Sequence, residues 1–274
     1  MRTTAANLRE SHQGMGFNLL ALTLDMTPGR LAFCSLVVFC SAVLRGYTGF
    51  GFALAAVPAL ALAIDPVAVV PLVLCLEVVA SLQLLPSLWR SVHFQSVGRL
   101  VSGSLVGIPI GVYGLAALPA DMMRLVIALV VLASVSAIGA GLKFDRQPGG
   151  YTTLAVGALS GLLNGAAAMS GPPVILFYLG SQAALQIGRA SLVFYFLLSD
   201  FIAVAITAVS GLLLLSTLAL TIASLPALFA GQAIGARLFR SSLQRHYRAV
   251  AILILAAVSG FALIQSVAAL WTPR

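Results

Sequence analysis

The chain has 274 residues, 61% of them hydrophobic and only 8% charged, with a mean hydropathy of +1.08 and a formal net charge of +8. That balance excludes an ordinary soluble domain, and uncharged runs such as Leu100–Ala120, Leu125–Leu142, Phe201–Ala236 and Ala249–Pro273 are each long enough to cross a hydrocarbon core of about 30 Å as a helix. The sequence therefore reads as an all-α polytopic membrane protein, and its basic excess calls for no nucleic-acid partner: arginines gather near the ends of apolar spans, as positive-inside bias requires, although a basic lumen for an anion would leave the same net charge.

Residues 1–30 mix charges (Arg2, Arg9, Glu10, Asp25, Arg30) with short apolar stretches and lack the pattern of a cleaved secretory signal. They read as a flexible or interfacial tail, with the first span as an uncleaved targeting signal. Four apolar segments follow, at about 31–64, 66–88, 97–117 and 122–142. The run Lys143-Phe144-Asp145-Arg146-Gln147-Pro148-Gly149-Gly150 is the clear polar, turn-forming linker. Four more segments come after it, at about 150–181, 188–214, 216–236 and 248–270. The chain thus divides into a first transmembrane repeat, 31–142, a linker, 143–150, and a second repeat, 151–274.

The halves match in detail. Gly107-Ile108-Pro109-Ile110-Gly111 corresponds to Gly231-Gln232-Ala233-Ile234-Gly235 at an offset of 124, which also takes Arg124 to Arg248. Glu77 maps to Asp200 at 123, Gly46 to Gly165 at 119 and Gly51 to Gly171 at 120. Arg90 and Arg99 flank the connection between segments two and three, whereas in the second half the basic connection (Arg237, Arg240, Arg245, Arg248) lies between segments three and four. Such a switch is expected of halves that face opposite ways. Inversion needs an odd number of crossings per half, which a broken or re-entrant first segment supplies. The 34 residues from Leu31 to Ile64 would make a helix of roughly 50 Å, too long for an upright span, so two short half-helices meeting at Gly46–Gly51 are expected. The alternative is one long, tilted, kinked helix in parallel halves.

The breaks carry the candidate site. In the first, Arg45-Gly46-Tyr47-Thr48-Gly49-Phe50-Gly51-Phe52 interrupts an apolar run; in the second, Asn164-Gly165 and then Ser170-Gly171-Pro172-Pro173 do so. Paired breaks in two halves mark a transporter's binding site, because backbone groups freed in lipid must be covered by protein or face a solute cavity. Arg45, the one charge in its run, offers a planar fork suited to carboxylate, sulfonate or sulfite oxygens; the other reading is an arginine paired with Glu77 or reaching an interface. Gly46, Thr48, Gly49 and Gly51 can present backbone N–H groups at the start of a half-helix, where anions are favoured. Asn164, Ser170, Gly171 and Pro172 repeat that pattern, with proline suited to a first helical turn. For single glycines, close helix packing explains the residue equally well.

Glu77 and Asp200 lie within their segments. An intramembrane carboxylate is a candidate proton carrier, and equally a salt-bridge partner for Arg45 or Arg189. Cys34, Cys40 and Cys75 have no metal or redox spacing and read as small core residues; His12, His93 and His246 are scattered. Pro58, Pro71, Pro86, Pro109 and Pro226 read as kinks or span-end residues, and Trp89 and Trp271 as interfacial anchors. No metal, cofactor or catalytic constellation is expected, and no Walker motif supports ATP-driven transport.

The run from Arg45 through Gly49-Phe50-Gly51-Phe52-Ala53-Leu54 to Pro58 resembles the first signature of the TauE/SafE sulfite exporter family. Gly157-Ala158-Leu159-Ser160-Gly161-Leu162-Leu163-Asn164-Gly165, continuing to Ser170-Gly171-Pro172-Pro173, is similar to the second; Arg189-Ala190-Ser191 and Leu198-Ser199-Asp200 fit the family pattern as well. The resemblance implies a multi-pass carrier of the bacterial inner membrane, moving sulfite, sulfoacetate or related organosulfonates. Where many members have three consecutive glycines after the first break, this chain has Gly49-Phe50-Gly51-Phe52, a departure that points to a subgroup with its own solute. The expected function is alternating-access transport, with Arg45, Gly46, Thr48, Gly49, Gly51, Asn164, Ser170, Gly171 and Pro172 at the anion and Glu77 or Asp200 coupling protons. An inside-negative potential favours anion export by about 2.3 kcal/mol per charge per 100 mV. A passive anion channel, or a carrier of another small organic anion, is the alternative. The expected partners are the small anion and the lipid bilayer, and homo-oligomerisation stays open.

Overall fold

The computed structural model describes residues 28–140, 149–180 and 185–240; the N-terminal tail, nearly all of the linker and the last apolar segment lie outside the described residues. Within them are nine α-helices: α1 (Pro28–Thr48), α2 (Phe52–Leu60), α3 (Pro66–Leu88), α4 (Phe94–Ala117), α5 (Ala120–Ala140), α6 (Gly150–Ala167), α7 (Gly171–Gly180), α8 (Leu185–Val209) and α9 (Leu215–Arg240). A single 3-10 turn, Trp89–Ser91, joins α3 to α4. Five helical stretches among the described residues are long and apolar enough to cross a membrane: Gly29–Thr48, Pro66–Ser91, Phe94–Ala117, Gln186–Val209 and Leu215–Leu238.

Local sequence explains where the helices start and stop. Asp65 caps α3, its carboxylate accepting from the Val67 N–H at 3.0 Å, and Pro66 follows in the first turn. His93 caps α4 in the same way, its Nδ1 accepting from the Ser96 N–H. Both first segments of the expected halves are interrupted. Between α1 and α2, Gly49 (φ 84°) and Gly51 (φ 88°) adopt left-handed conformations open to glycine. Between α6 and α7 the turn falls on Ala168, a non-glycine residue at φ 55°. Its N–H bonds the Asn164 carbonyl, the 5→1 closure of an αL helix ending, and the Met169 N–H bonds the Leu163 carbonyl.

The pieces differ in length from two equal half-helices. α1 has 21 residues and α6 has 18, whereas α2 has nine and α7 has ten. Each broken segment is therefore a nearly full-length helix followed by a half-helix. The reason lies in the backbone conformation: Gly46 and Gly165 stay right-handed within their helices, and each first helix ends only where the chain turns left-handed, at Gly49 and at Ala168. At about 1.5 Å per residue α2 and α7 extend roughly 15 Å, half the hydrocarbon thickness. Arg124 of α5 closes the far end of α2, its Nε donating to the Ala61 carbonyl at 3.1 Å while its NH1 pairs with Asp121.

Two helix pairs bind the bundle across the sequence: α1 packs along α9, and α4 along α6. Both contacts depend on glycine. A side chain at Gly103, Gly107 or Gly111 of α4 would collide with the α6 backbone, and one at Gly157, Gly161 or Gly165 of α6 with the α4 backbone. Gly46 of α1 meets the backbone of Gln232 and Ala236, and Gly231 and Gly235 of α9 meet α1 in return. Lipid tails give apolar side chains no reason to leave them for a neighbouring helix, so close backbone approach through small residues provides the attraction. The outward surface is apolar, with Val106, Ile110, Phe201, Ile222 and Phe229 exposed, while Arg45, Glu77, Asn164, Asp200 and Gln232 are buried. Such an apolar exterior suits lipid and would be untenable in water.

Candidate functional site

Arg45 sits in the last turn of α1 and is 0% exposed. Its guanidinium ion-pairs with Glu77 of α3, donates through NH2 to Ser81 Oγ at 2.6 Å, and lies 5.5 Å from the centre of the Phe196 ring on α8. Glu77, 5% exposed, accepts a second bond on Oε1 from the Ala53 N–H at 3.2 Å. Ala53 is the second residue of α2, so its N–H is one of the donors that a helix leaves unpaired at its start. A carboxylate thus bridges Arg45 and the positive end of α2.

The second break carries the neutral counterpart. Asn164, in the last turn of α6, donates to Asp200 Oδ1 at 2.9 Å, and both are buried. Asn164 Oδ1 and Asp200 Oδ2 have no hydrogen-bond partner among the described residues. Asp200 is close enough to Glu77 and Arg45 to interact with both electrostatically. Ser160 donates to the Ser170 carbonyl and accepts from the Tyr195 hydroxyl at 2.9 Å, which ties the second break to α8.

The remaining candidates divide between cavity and scaffold. One cavity is lined by Gly51, Ala53 and Leu54 from the first break, Ala168 to Gly171 from the second, and Glu77 and Phe196 between them. It leaves room for about one water molecule. Gly51, Ser170, Gly171 and Glu77 therefore meet at one place; Arg45 stands behind Glu77 and Phe196. Pro172 follows in the first turn of α7, where Pro172 and Pro173 contribute no N–H. Thr48 is turned into its own break, donating to the Leu44 carbonyl at 2.8 Å and accepting from the Phe50 N–H at 3.1 Å. Gly46 packs on α9, and its carbonyl accepts from Arg189 NH2 at 3.1 Å; a side chain at Gly49 would strike Arg189.

Sequence reasoning did not single out Ser81, Tyr195 or Phe196 for the site. Helical spacing was the available signal: Ser81 lies four residues after Glu77, and Phe196 four before Asp200, so each shares a helix face with a carboxylate. Gln232, read from sequence as part of a repeat match, is buried and donates to the Ala80 carbonyl at 2.7 Å.

Long apolar-surfaced helices around a buried charged cluster, with two helix breaks lining one cavity, define a polytopic helical membrane protein. The family model described as Sulfite exporter TauE/SafE matches residues 34–262, and the chain belongs to that family of membrane transport proteins. No curated protein and no solved structure matches the chain.

Proposed function

We propose that this protein is a secondary transporter that carries small sulfur-containing anions, such as sulfite, sulfoacetate or related organosulfonates, out across the bacterial inner membrane by alternating access. The observation that carries this reading is a cavity shared by both helix breaks, with the buried Arg45 guanidinium behind it. The family supplies the class of solute, and guanidinium with helix-start N–H groups supplies the chemistry for an oxyanion. Gly46, Thr48, Gly49, Asn164, Ser170, Gly171 and Pro172 shape or line the site, and Glu77 or Asp200 couples protons. The two breaks are unequal as anion acceptors: α7 begins Gly171-Pro172-Pro173 and lacks two of its free N–H groups, while α2 begins Phe52-Ala53-Leu54 and keeps them. The anion therefore belongs nearer α2. A cavity with room for about one water is smaller than sulfite, so loading requires opening toward one face, which favours a carrier over a permanent pore.

The same reading treats 31–142 and 151–274 as two repeats facing opposite ways. Reciprocal packing supports the duplication, while the switch of the basic connection between the halves supports their opposite orientation. Gly46 meets Gln232 and Ala236, and Gly165 meets Ile108 and Val112; an offset of 119 relates the glycines and 124 relates their partners. The bonds Arg45–Ser81 and Asn164–Asp200 both span 36 residues. At an offset of 119, Asp200 falls on Ser81 and Phe196 on Glu77, so the structural counterpart of Glu77 is an aromatic ring and the two carboxylates are not equivalent.

The test is counterflow in proteoliposomes with sulfite and a panel of organosulfonates, wild type beside Arg45→Ala. Saturable exchange of one anion, lost in the variant, is expected. A folded protein that exchanges no sulfur anion would refute the reading.

A further inference from the structure

Glu77 presents a difficulty for an anion carrier. It is the one titratable residue lining the cavity, and it is acidic. Its carboxylate already holds the two groups best suited to an incoming oxyanion, the Arg45 guanidinium and a free N–H at the start of α2. With Asp200 interacting nearby, two carboxylates face one guanidinium in a buried cluster. A further negative charge added to that cluster would be repelled at short range and low dielectric.

The groups around Glu77 leave one straightforward escape. α1 presents Arg45, α2 the Ala53 N–H, and α8 Asp200 and the Phe196 ring. α6 and α9 bring the neutral amides of Asn164 and Gln232. The charges of α5, Asp121 and Arg124, are engaged at the far end of α2, and His93 stands at the start of α4, beyond the end of α3. α8 also carries Arg189, which donates to the Gly46 carbonyl at the first break, and α9 ends in Arg237 and Arg240; none of the three lines the cavity. Arg45, paired with the carboxylate that does line it, is the cation an anion there would meet, and it is released when Glu77 becomes neutral.

We propose that the Glu77 carboxylate is a resident substitute for the transported anion: the anion takes its place on Arg45 and the α2 N-terminus when Glu77 takes up a proton. This deepens the transport reading above and rests on it. The proton comes from water on the side to which the cavity opens, binds a Glu77 carboxylate oxygen, and returns to water where the anion leaves. Neutral Glu77 no longer competes for Arg45, and the re-formed ion pair expels the anion once the proton departs. Each anion therefore moves with one proton. For the sulfite dianion one net negative charge still crosses, so the membrane potential continues to favour export. Glu77 becomes the coupling group, and Asp200, held by Asn164, has a separate role.

The test combines sulfite counterflow with infrared difference spectra recorded on the full chain in lipid membranes upon addition of sulfite. Wild type is expected to gain a carboxylic acid C=O band on binding sulfite; Glu77→Gln should lack the band and Asp200→Asn should keep it. Sulfite exchange by wild type without the band overturns the inference and leaves the transport reading standing. So does a band that survives Glu77→Gln, or one that Asp200→Asn abolishes while counterflow continues. Absence of wild-type sulfite counterflow defeats the sulfite reading itself, and the inference falls with it.

Discussion

Asn164 donates to Asp200 across 2.9 Å in the protein interior, and this is the one hydrogen bond described for that carboxylate. Hydrogen bonds to charged groups contribute about 1.5–3 kcal/mol. Asn164→Ala is therefore expected to lower stability by about that amount, and to lower it less in an Asp200→Asn background, where the charge is gone. Thermal unfolding of the purified single and double variants measures the coupling directly. Equal losses from Asn164→Ala in both backgrounds would mean that the pair contributes nothing specific.

Arg45 is held by an ion pair, a serine hydroxyl and an aromatic ring at once. Arg45→Ala leaves Glu77 buried without its counter-charge, at a cost of about 3–5 kcal/mol. Pairing it with Glu77→Gln removes the orphaned charge, so the double variant should regain most of the stability. It should not regain sulfite counterflow, because the guanidinium itself is required. Arg45→Lys keeps the charge but loses the planar fork that reaches Glu77 and Ser81 together, and an intermediate stability is expected. Counterflow by the double variant at wild-type rate would assign Arg45 to structure alone.

The parts of this molecule that follow from composition and local chemistry were legible in the sequence. Asp65-Pro66 marks the start of α3, and the long uncharged runs mark the spans. The glycine clusters mark two breaks, though the first helix continues to Thr48 and does not stop at Gly46. What stayed hidden is which residues face one another. Gly46 looked like part of an anion loop, yet its missing side chain admits the backbone of α9. Thr48 looked like a donor to solute, yet it bonds its own turn. Ser81 and Phe196 carry no motif and enter the cluster only because α3 and α8 bring them there. Glu77 and Asp200 looked equivalent by spacing, and three-dimensional neighbours, Arg45 and Asn164, distinguish them.

The left-handed positions give a prediction of opposite signs. At Gly51, φ 88°, a side chain meets steric resistance of about 1–2 kcal/mol. Gly51→Ala should therefore destabilise, and should also disturb the cavity that Gly51 lines. Ala168 already bears that strain at φ 55°, so Ala168→Gly should relieve part of it, less the greater chain entropy of glycine when unfolded. The expected outcome is a melting temperature lowered by Gly51→Ala and raised or unchanged by Ala168→Gly. A marked loss from Ala168→Gly would show that its methyl group contributes packing worth more than the strain.

Glycines on the same helix should respond differently according to what lies beside them. On α4, a methyl group at Gly107 would run into the Ala158 carbonyl and the Leu162 N–H of α6, backbone atoms that cannot turn aside. A methyl at Gly114, seven residues on, would meet nothing within 4 Å. Overpacking a tight contact costs about 1–3 kcal/mol, and replacing glycine with alanine within an unobstructed helix returns about 0.5–1 kcal/mol. Gly107→Ala should therefore destabilise and Gly114→Ala should stabilise, although the substitutions are chemically identical. Gly161→Ala on α6 faces Ser104 and should behave as Gly107→Ala does. Because α6 leads into the second break, separating it from α4 should also slow sulfite exchange, whereas Gly114→Ala should not. Melting curves and initial counterflow rates on these three variants decide the matter; equal effects at positions 107 and 114 would show that α4 and α6 do not approach each other as closely as their glycines allow.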